Sequence, residues 1–273
     1  MYEQRLCAFV DILGFRELIG HSLDRPHLQQ QIRQLLREVV LAKPVWDRDS
    51  PVDLIEARLR DQGVQDPRSE ADRTVARNAI AERGTNFSDS LVLSVKPEAE
   101  AICRLVTSLL FLSRGAAELG HYVRGGVCQG LLCHEEDLCF GPALIAAYDL
   151  EQKVAFYPRI VVAPEAHEAI AAVDMAVVGP LASYIRTDYD GERFLHFLSP
   201  HAMDLVGAFR EEQMREIRRE LERQLLSARH CNPPRPKLIW LARYFNSVLK
   251  EAPVADMPSL PIYVRHRPFL KLV

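Results

Sequence analysis

The run Arg5–Ile12 (RLCAFVDI) is short and apolar and carries a carboxylate, Asp11, at its end; Leu13-Gly14 follows, and then FRELIGHSL, whose apolar residues recur at helical spacing. A strand, a tight turn and a helix account for this succession. Thr85–Val95 (TNFSDSLVLSV) alternates apolar and polar residues about a central Ser88-Asp89-Ser90, the pattern of a hairpin whose turn carries an aspartate. Glu98–Leu119 is the longest helical pattern, with Ala101, Leu105, Ser108, Leu109, Leu112 and Ala116 along one stripe. His121–Cys133 (HYVRGGVCQGLLC) reads as a glycine-rich strand and Gly141–Val154 as a helix with proline in its first turn. Arg159–Val162 reads as a further strand, PEAHEAIA as a short helix, and Asp190-Gly191 between apolar runs as a second hairpin. This order predicts an α/β (α+β) sandwich with helices packed on a mixed sheet.

Two segments stand apart from that alternation. Residues 26–83 are polar and charge-dense, with helical pieces separated by Pro44, Pro51 and Pro67, and read as a helical insertion. The end of the chain carries two helical patterns, Ala202–Leu226 and Lys237–Leu249, split by Asn232-Pro233-Pro234; Met214, Ile217, Leu221 and Leu225 form a stripe suited to packing or to supporting a dimer. The predicted division is therefore a unit over 1–200 that holds the insertion, and a helical extension and tail over 201–273.

Charge and apolar patterning exclude some classes. Lys and Arg number 34 against 37 Asp and Glu, a net charge of −3, so the chain lacks the basic field that coats nucleic acid. The N-terminus lacks the basic start, long apolar centre and cleavage site of a signal peptide, and the most apolar stretches fall short of the ~20 residues that span a bilayer. A cytoplasmic protein with no membrane partner is expected. The six cysteines form no CxxC pair and read as reduced thiols. Asp188-Tyr189-Asp190-Gly191 lacks the full spacing of a calcium loop and reads as a hairpin turn.

Asp11 and Asp89 are the chemically informative residues. A carboxylate in an apolar strand or hairpin is costly unless it is paired, hydrogen-bonded or bound to a metal. If the two strands are neighbours, both carboxylates reach one sheet edge, where two carboxylates and substrate phosphates make a common site for Mg²⁺ or Mn²⁺. The turn after Asp11 opens a helix whose free amides attract anions. Taken singly, Asp11 also suits a helix cap and Asp89 a surface turn.

FVDILGF, FSDSLVLS, VRGGVCQG and GPALIAAYDLE occur in the order of the class III nucleotide cyclase homology domain, which the chain resembles over about residues 5–165. The full set of motifs, with PRIVV, looks most like the bacterial pyrimidine cyclases of the Pycsar anti-phage systems. The resemblance implies two metal ions, Mn²⁺ or Mg²⁺, on Asp11 and Asp89 with the Ile12 carbonyl as a further ligand. It also implies a triphosphate on the amides of Leu13, Gly14 and Phe15, and a head-to-tail homodimer with sites at the interface. The nucleotide's 3′-hydroxyl would attack its α-phosphate and expel pyrophosphate. The cyclic UMP or cyclic CMP so made would act through a cyclic-nucleotide-gated effector; the resemblance favours uridylate, and no residue chooses between the two.

The departures from the family pattern are specific. Ile145 and Asp149 stand where an asparagine and a transition-state arginine are usual, which leaves Arg124, Lys153 and Arg159 as candidate cations for the phosphates. Arg124 equally suits a strand-end salt bridge. Thr85 and Leu138 stand where purine cyclases carry their base-reading pair, so a different base or a different pocket is implied. A purine cyclase, a catalytically inactive nucleotide-binding sensor and an interaction scaffold are the alternatives.

Overall fold

The computed structural model describes residues 1–30, 32–33, 83–87, 90–135, 138–175, 179–201, 210–228 and 235–262. Most of the 26–83 insertion, Ser88-Asp89, Cys231 and the closing tail lie outside the described residues. The elements begin with β1 (Glu3–Ile12), α1 (Phe15–Ser22), β2 (Arg83–Phe87), β3 (Ser90–Val95), α2 (Ala99–Glu118), β4 (Val123–His134), β5 (Cys139–Phe140) and α3 (Pro142–Lys153). They continue with β6 (Ile160–Val162), α4 (Pro164–Ala171), β7 (Asp174–Met175), β8 (Gly179–Pro180), β9 (Ile185–Thr187), β10 (Arg193–Leu195), α5 (Arg210–Ser227) and α6 (Arg235–Glu251).

Eight strands form one mixed sheet in the order β2-β3-β1-β4-β6-β10-β9, with β5 on β4, so the protein is an α+β fold. β1 runs antiparallel to both β3 and β4, and β4 runs parallel to β6. β7 and β8 make a separate two-stranded ribbon that the sequence patterning does not anticipate.

Alternation along β1 assigns its two faces. Leu6, Ala8, Val10 and Ile12 enter the main core with α2, whose residues from Ala101 to Ala117 are almost all buried. Cys7 lies on the opposite face with Val92, Cys128 and Leu132, under Ala143 and Ala147 of α3. The glycines of β4 permit that layer: a Cβ on Gly126 would lie 2.4 Å from the Ala147 carbonyl oxygen and 2.8 Å from Leu150 Cβ. α3 therefore rests directly on the strand backbone, and the RGG motif has a packing role.

The C-terminal helices share the main core. Met214, Ile217 and Leu221 of α5 and Leu238, Trp240, Leu241, Phe245 and Val248 of α6 are buried in the same cluster as α2. The expected boundary near residue 200 is thus crossed by one continuous apolar core. An amphipathic stripe shows that a helix packs, and leaves open what it packs on. Among the described residues no helix is long and apolar enough to cross a membrane.

Candidate active site

Asp11 sits where β1 ends, in a row across three strands: it pairs with Ser90 of β3 on one side and Arg124 of β4 on the other. Side chains directly opposite in paired strands share a face. The Ser90 hydroxyl donates to Asp11 Oδ1 at 3.4 Å, and Arg124 Nε lies 3.5 Å from Asp11 Oδ2. Arg124 Nε also lies 2.5 Å from Oε1 of Glu151, whose side chain is 0% exposed. Burial pushes the Glu151 carboxyl above its ordinary value; Arg124 opposes that shift and Asp11 adds to it. The strand-end salt bridge expected for Arg124 is present, and Arg124 nonetheless keeps one edge on open space.

That space is a cleft of about 550 Å³ lined by Asp11, Ile12, Leu13, Gly14, Phe15, Arg124, Lys237 and their neighbours. Gly14 forms its floor as the N-cap of α1, at φ 75°, a left-handed conformation that favours glycine. The first amides of a helix have no intrahelical acceptor. Among the described residues neither Gly14 nor Phe15 donates to a backbone carbonyl, whereas the Leu13 amide donates to the Tyr122 carbonyl at 2.9 Å. Of the three amides predicted to meet an anion, that of Leu13 is therefore taken, because the β1–α1 turn is tied to the chain before β4 through it.

The candidate cations part ways. Arg124 lines the cleft; Lys153 pairs with Asp149 at 2.8 Å on the outer face of α3. Arg159 is 1% exposed and gripped by Asp188 and Asp190 at the turn between β9 and β10, so that turn holds an arginine. Ile145 is 64% exposed on α3 and does not line the cleft.

Thr85 and Leu138 do not line the cleft either. Thr85 pairs with Val92, which pairs with Phe9, so it shares the sheet face of Asp11 one pleat along and two strands away. Its hydroxyl lies 2.9 Å from His134 Nε2, and His134 Nδ1 lies 2.8 Å from the Ser94 hydroxyl, which accepts from Arg5 at 2.9 Å. Leu138 is largely exposed beside β5.

Among the cleft residues that sequence reasoning missed are His121, Gln224 and Lys237. His121 precedes β4, and burial holds its imidazole below the ordinary value. Gln224 of α5 donates to the Gly120 carbonyl at 2.6 Å, and Lys237 opens α6. No local motif marks them: Gln224 and Lys237 reach the cleft through the packing of α5 and α6, and His121 lies on the turn between α2 and β4.

A divalent cation is tested by the donor set. The Asp11 carboxylate and the main chain at Ile12 are oxygen donors of the kind a hard cation takes. Asp89 lies outside the described residues, and among these no group of three His, Cys, Asp or Glu side chains is arranged to hold a metal ion. The donors fit such a cation in kind, with further ligands left to main chain, water or substrate. No protein-family model matches the chain, and no curated protein matches it.

Proposed function

We propose that this chain is a nucleotide cyclase of the class III type that converts UTP, or CTP, to the 3′,5′-cyclic nucleotide and pyrophosphate. The observation that carries this reading is that Asp11 and Arg124, opposite each other on paired strands, line one cleft with Gly14 and Phe15 at the start of α1. A carboxylate, a guanidinium and free amides within one cleft are the groups that metal-assisted phosphoryl transfer requires. Asp11 and the Ile12 carbonyl would hold a Mn²⁺ or Mg²⁺ ion, with Asp89 as the second carboxylate. Such ions lower the pKa of an attacking hydroxyl and stabilise charge on phosphates.

The protein's own groups act around that charge. The Gly14 and Phe15 amides bind phosphate oxygens, as helix N-termini do. The buried Glu151 lies 2.5 Å from Arg124 Nε and anchors it beside the cleft. Thr85, on the same sheet face but outside the cleft, has its hydroxyl on His134 and is the residue that would meet a base on that face. Leu138, Phe140, Ile145, Tyr148 and Phe156 are exposed apolar side chains along α3 and its flanks, which supports a second copy as the partner that covers this face.

One observation favours a second reading. Ile145 and Asp149 both lie off the cleft, so a binding-only sensor that holds a nucleotide without turning it over also suits the site. Purified protein incubated with Mn²⁺ and each of ATP, GTP, CTP and UTP separates the two. Cyclic UMP or cyclic CMP is expected, and Asp11→Asn or Asp89→Ala should reduce its formation by about a hundredfold or more. Faster conversion of ATP overturns the pyrimidine assignment. No product from any nucleotide, with a nucleotide-dependent rise in melting temperature retained, overturns the cyclase in favour of the sensor.

A further inference from the structure

Lys237 is a half-buried charged residue that lines the cleft. It lies in the first turn of α6, immediately before the buried Leu238 and three residues before Trp240. The buried side chains of α6 fix the rotation of the helix. Trp240 stacks between Tyr157 and Tyr244 at 5.6 and 5.3 Å and donates Nε1–H to Asp188 at 2.7 Å. Leu241, Phe245 and Val248 carry the same face into the core. With that face inward, Lys237 sits at the edge of the helix on the wall of the cleft, half-buried, its ammonium 5.8 Å from the centre of the Phe156 ring.

The electrostatics at that point are unbalanced. Burial holds the Lys237 ammonium below its ordinary value and Arg124 pushes the same way; Asp11, Glu151 and Glu17 pull against them. Among the described residues no carboxylate lies within ion-pair distance of Lys237, whereas Lys153 has one and Arg159 two. A half-desolvated cation beside a second cation is stabilised when an anion of several charges enters between them.

We propose that Lys237 binds the polyphosphate of the ligand in this cleft, opposite the Gly14 and Phe15 amides and beside Arg124. The proposal rests on the reading of the cleft as a triphosphate site. It gives α6 a function: the end of the chain supplies a cation that α3 does not. It also makes α5 and α6 part of the site, so the segment after residue 200 is required for binding.

The experiment is calorimetric titration of the full chain with inorganic tripolyphosphate in the presence of Mn²⁺, with wild type, Lys237→Met, Lys237→Gln, Lys237→Arg and Lys153→Met compared. Methionine keeps the apolar stem and removes the charge. Lys237→Met and Lys237→Gln should each weaken binding by about tenfold or more at unchanged melting temperature. Lys237→Arg should retain binding within about threefold, and Lys153→Met should match wild type. A purely structural lysine would lower the melting temperature and would gain nothing from arginine.

Binding by Lys237→Met or Lys237→Gln equal to wild type overturns the proposal and leaves the triphosphate site standing. Lys237-dependent binding in a protein that cyclises no nucleotide upholds the proposal and overturns the cyclase. No binding of tripolyphosphate by wild type overturns both.

Discussion

Arg124 and Arg159 each meet two carboxylates, and they do opposite things. Arg159 is 1% exposed, stands 5.3 Å from the Tyr157 ring centre, and is held by Asp188 and Asp190 from a single hairpin turn. Trp240 donates to the same Asp188, so the cluster fastens α6 to the sheet. Arg124 is 22% exposed, shares its Nε between Glu151 behind it and Asp11 beside it, and borders the cleft. A guanidinium enclosed by its partners is spent on structure; one held from behind with an open edge can meet a ligand. The two arginines look alike in sequence, each at the start of a strand pattern, and only their surroundings separate them.

The largest effect that would sharpen this contrast is in stability. Arg159→Met should destabilise the protein by about 3 kcal/mol or more, because breaking an enclosed pair leaves its carboxylates uncompensated. Chemical denaturation measures it, and a loss below about 1 kcal/mol would mean that the cluster does not fasten α6. Arg124→Met should cost less, about 1 kcal/mol, since Arg124 is partly exposed and Glu151 keeps the Gln152 amide at 2.5 Å. The comparison breaks if Arg124→Met is the more damaging of the two.

The smallest effect lies in pH dependence, where the clusters should slope in opposite directions. Burial pushes the Asp190 carboxyl up, yet hydrogen bonds from Arg159 and the Glu192 amide outweigh it and leave it below its ordinary value. Its contribution is therefore present above about pH 4 and lost as pH falls through the depressed value. Glu151 is raised, so its contribution is complete below about pH 4 and lost as pH rises through the raised value. Melting curves across that range should show Asp190→Asn below wild type at neutral pH, with the gap closing in acid. Glu151→Gln should melt no lower than wild type at neutral pH, and a clear loss there would show that the charged form is favoured in the fold.

Most element positions were legible in the sequence because they arise from local periodicity and turn chemistry. β1 and α1 flank the Leu13-Gly14 turn as the apolar run and its punctuation predict, and Pro164–Ala171 forms the short helix expected. The ribbon of β7 and β8 was not legible because two-residue strands are too short to show a period. Of the site, Asp11, Ile12, Gly14, Phe15 and Arg124 meet in one cleft, since strand, turn and neighbouring strand are local or directly paired. Leu13 lines the same cleft but commits its amide to Tyr122, a partner far away in sequence.

By itself the sequence determined that a carboxylate would end an apolar strand against a helix N-terminus, because burial pattern and turn residues act over a few positions. Only the tertiary structure decided which of Arg124, Lys153 and Arg159 would face that carboxylate. It also brought Lys237 from the far end of the chain to join it. Those outcomes depend on how helices seat on a sheet, here on Gly126 under Ala147 and on Trp240 between Tyr157 and Tyr244, and such seating is fixed by shape between distant residues rather than by any local pattern.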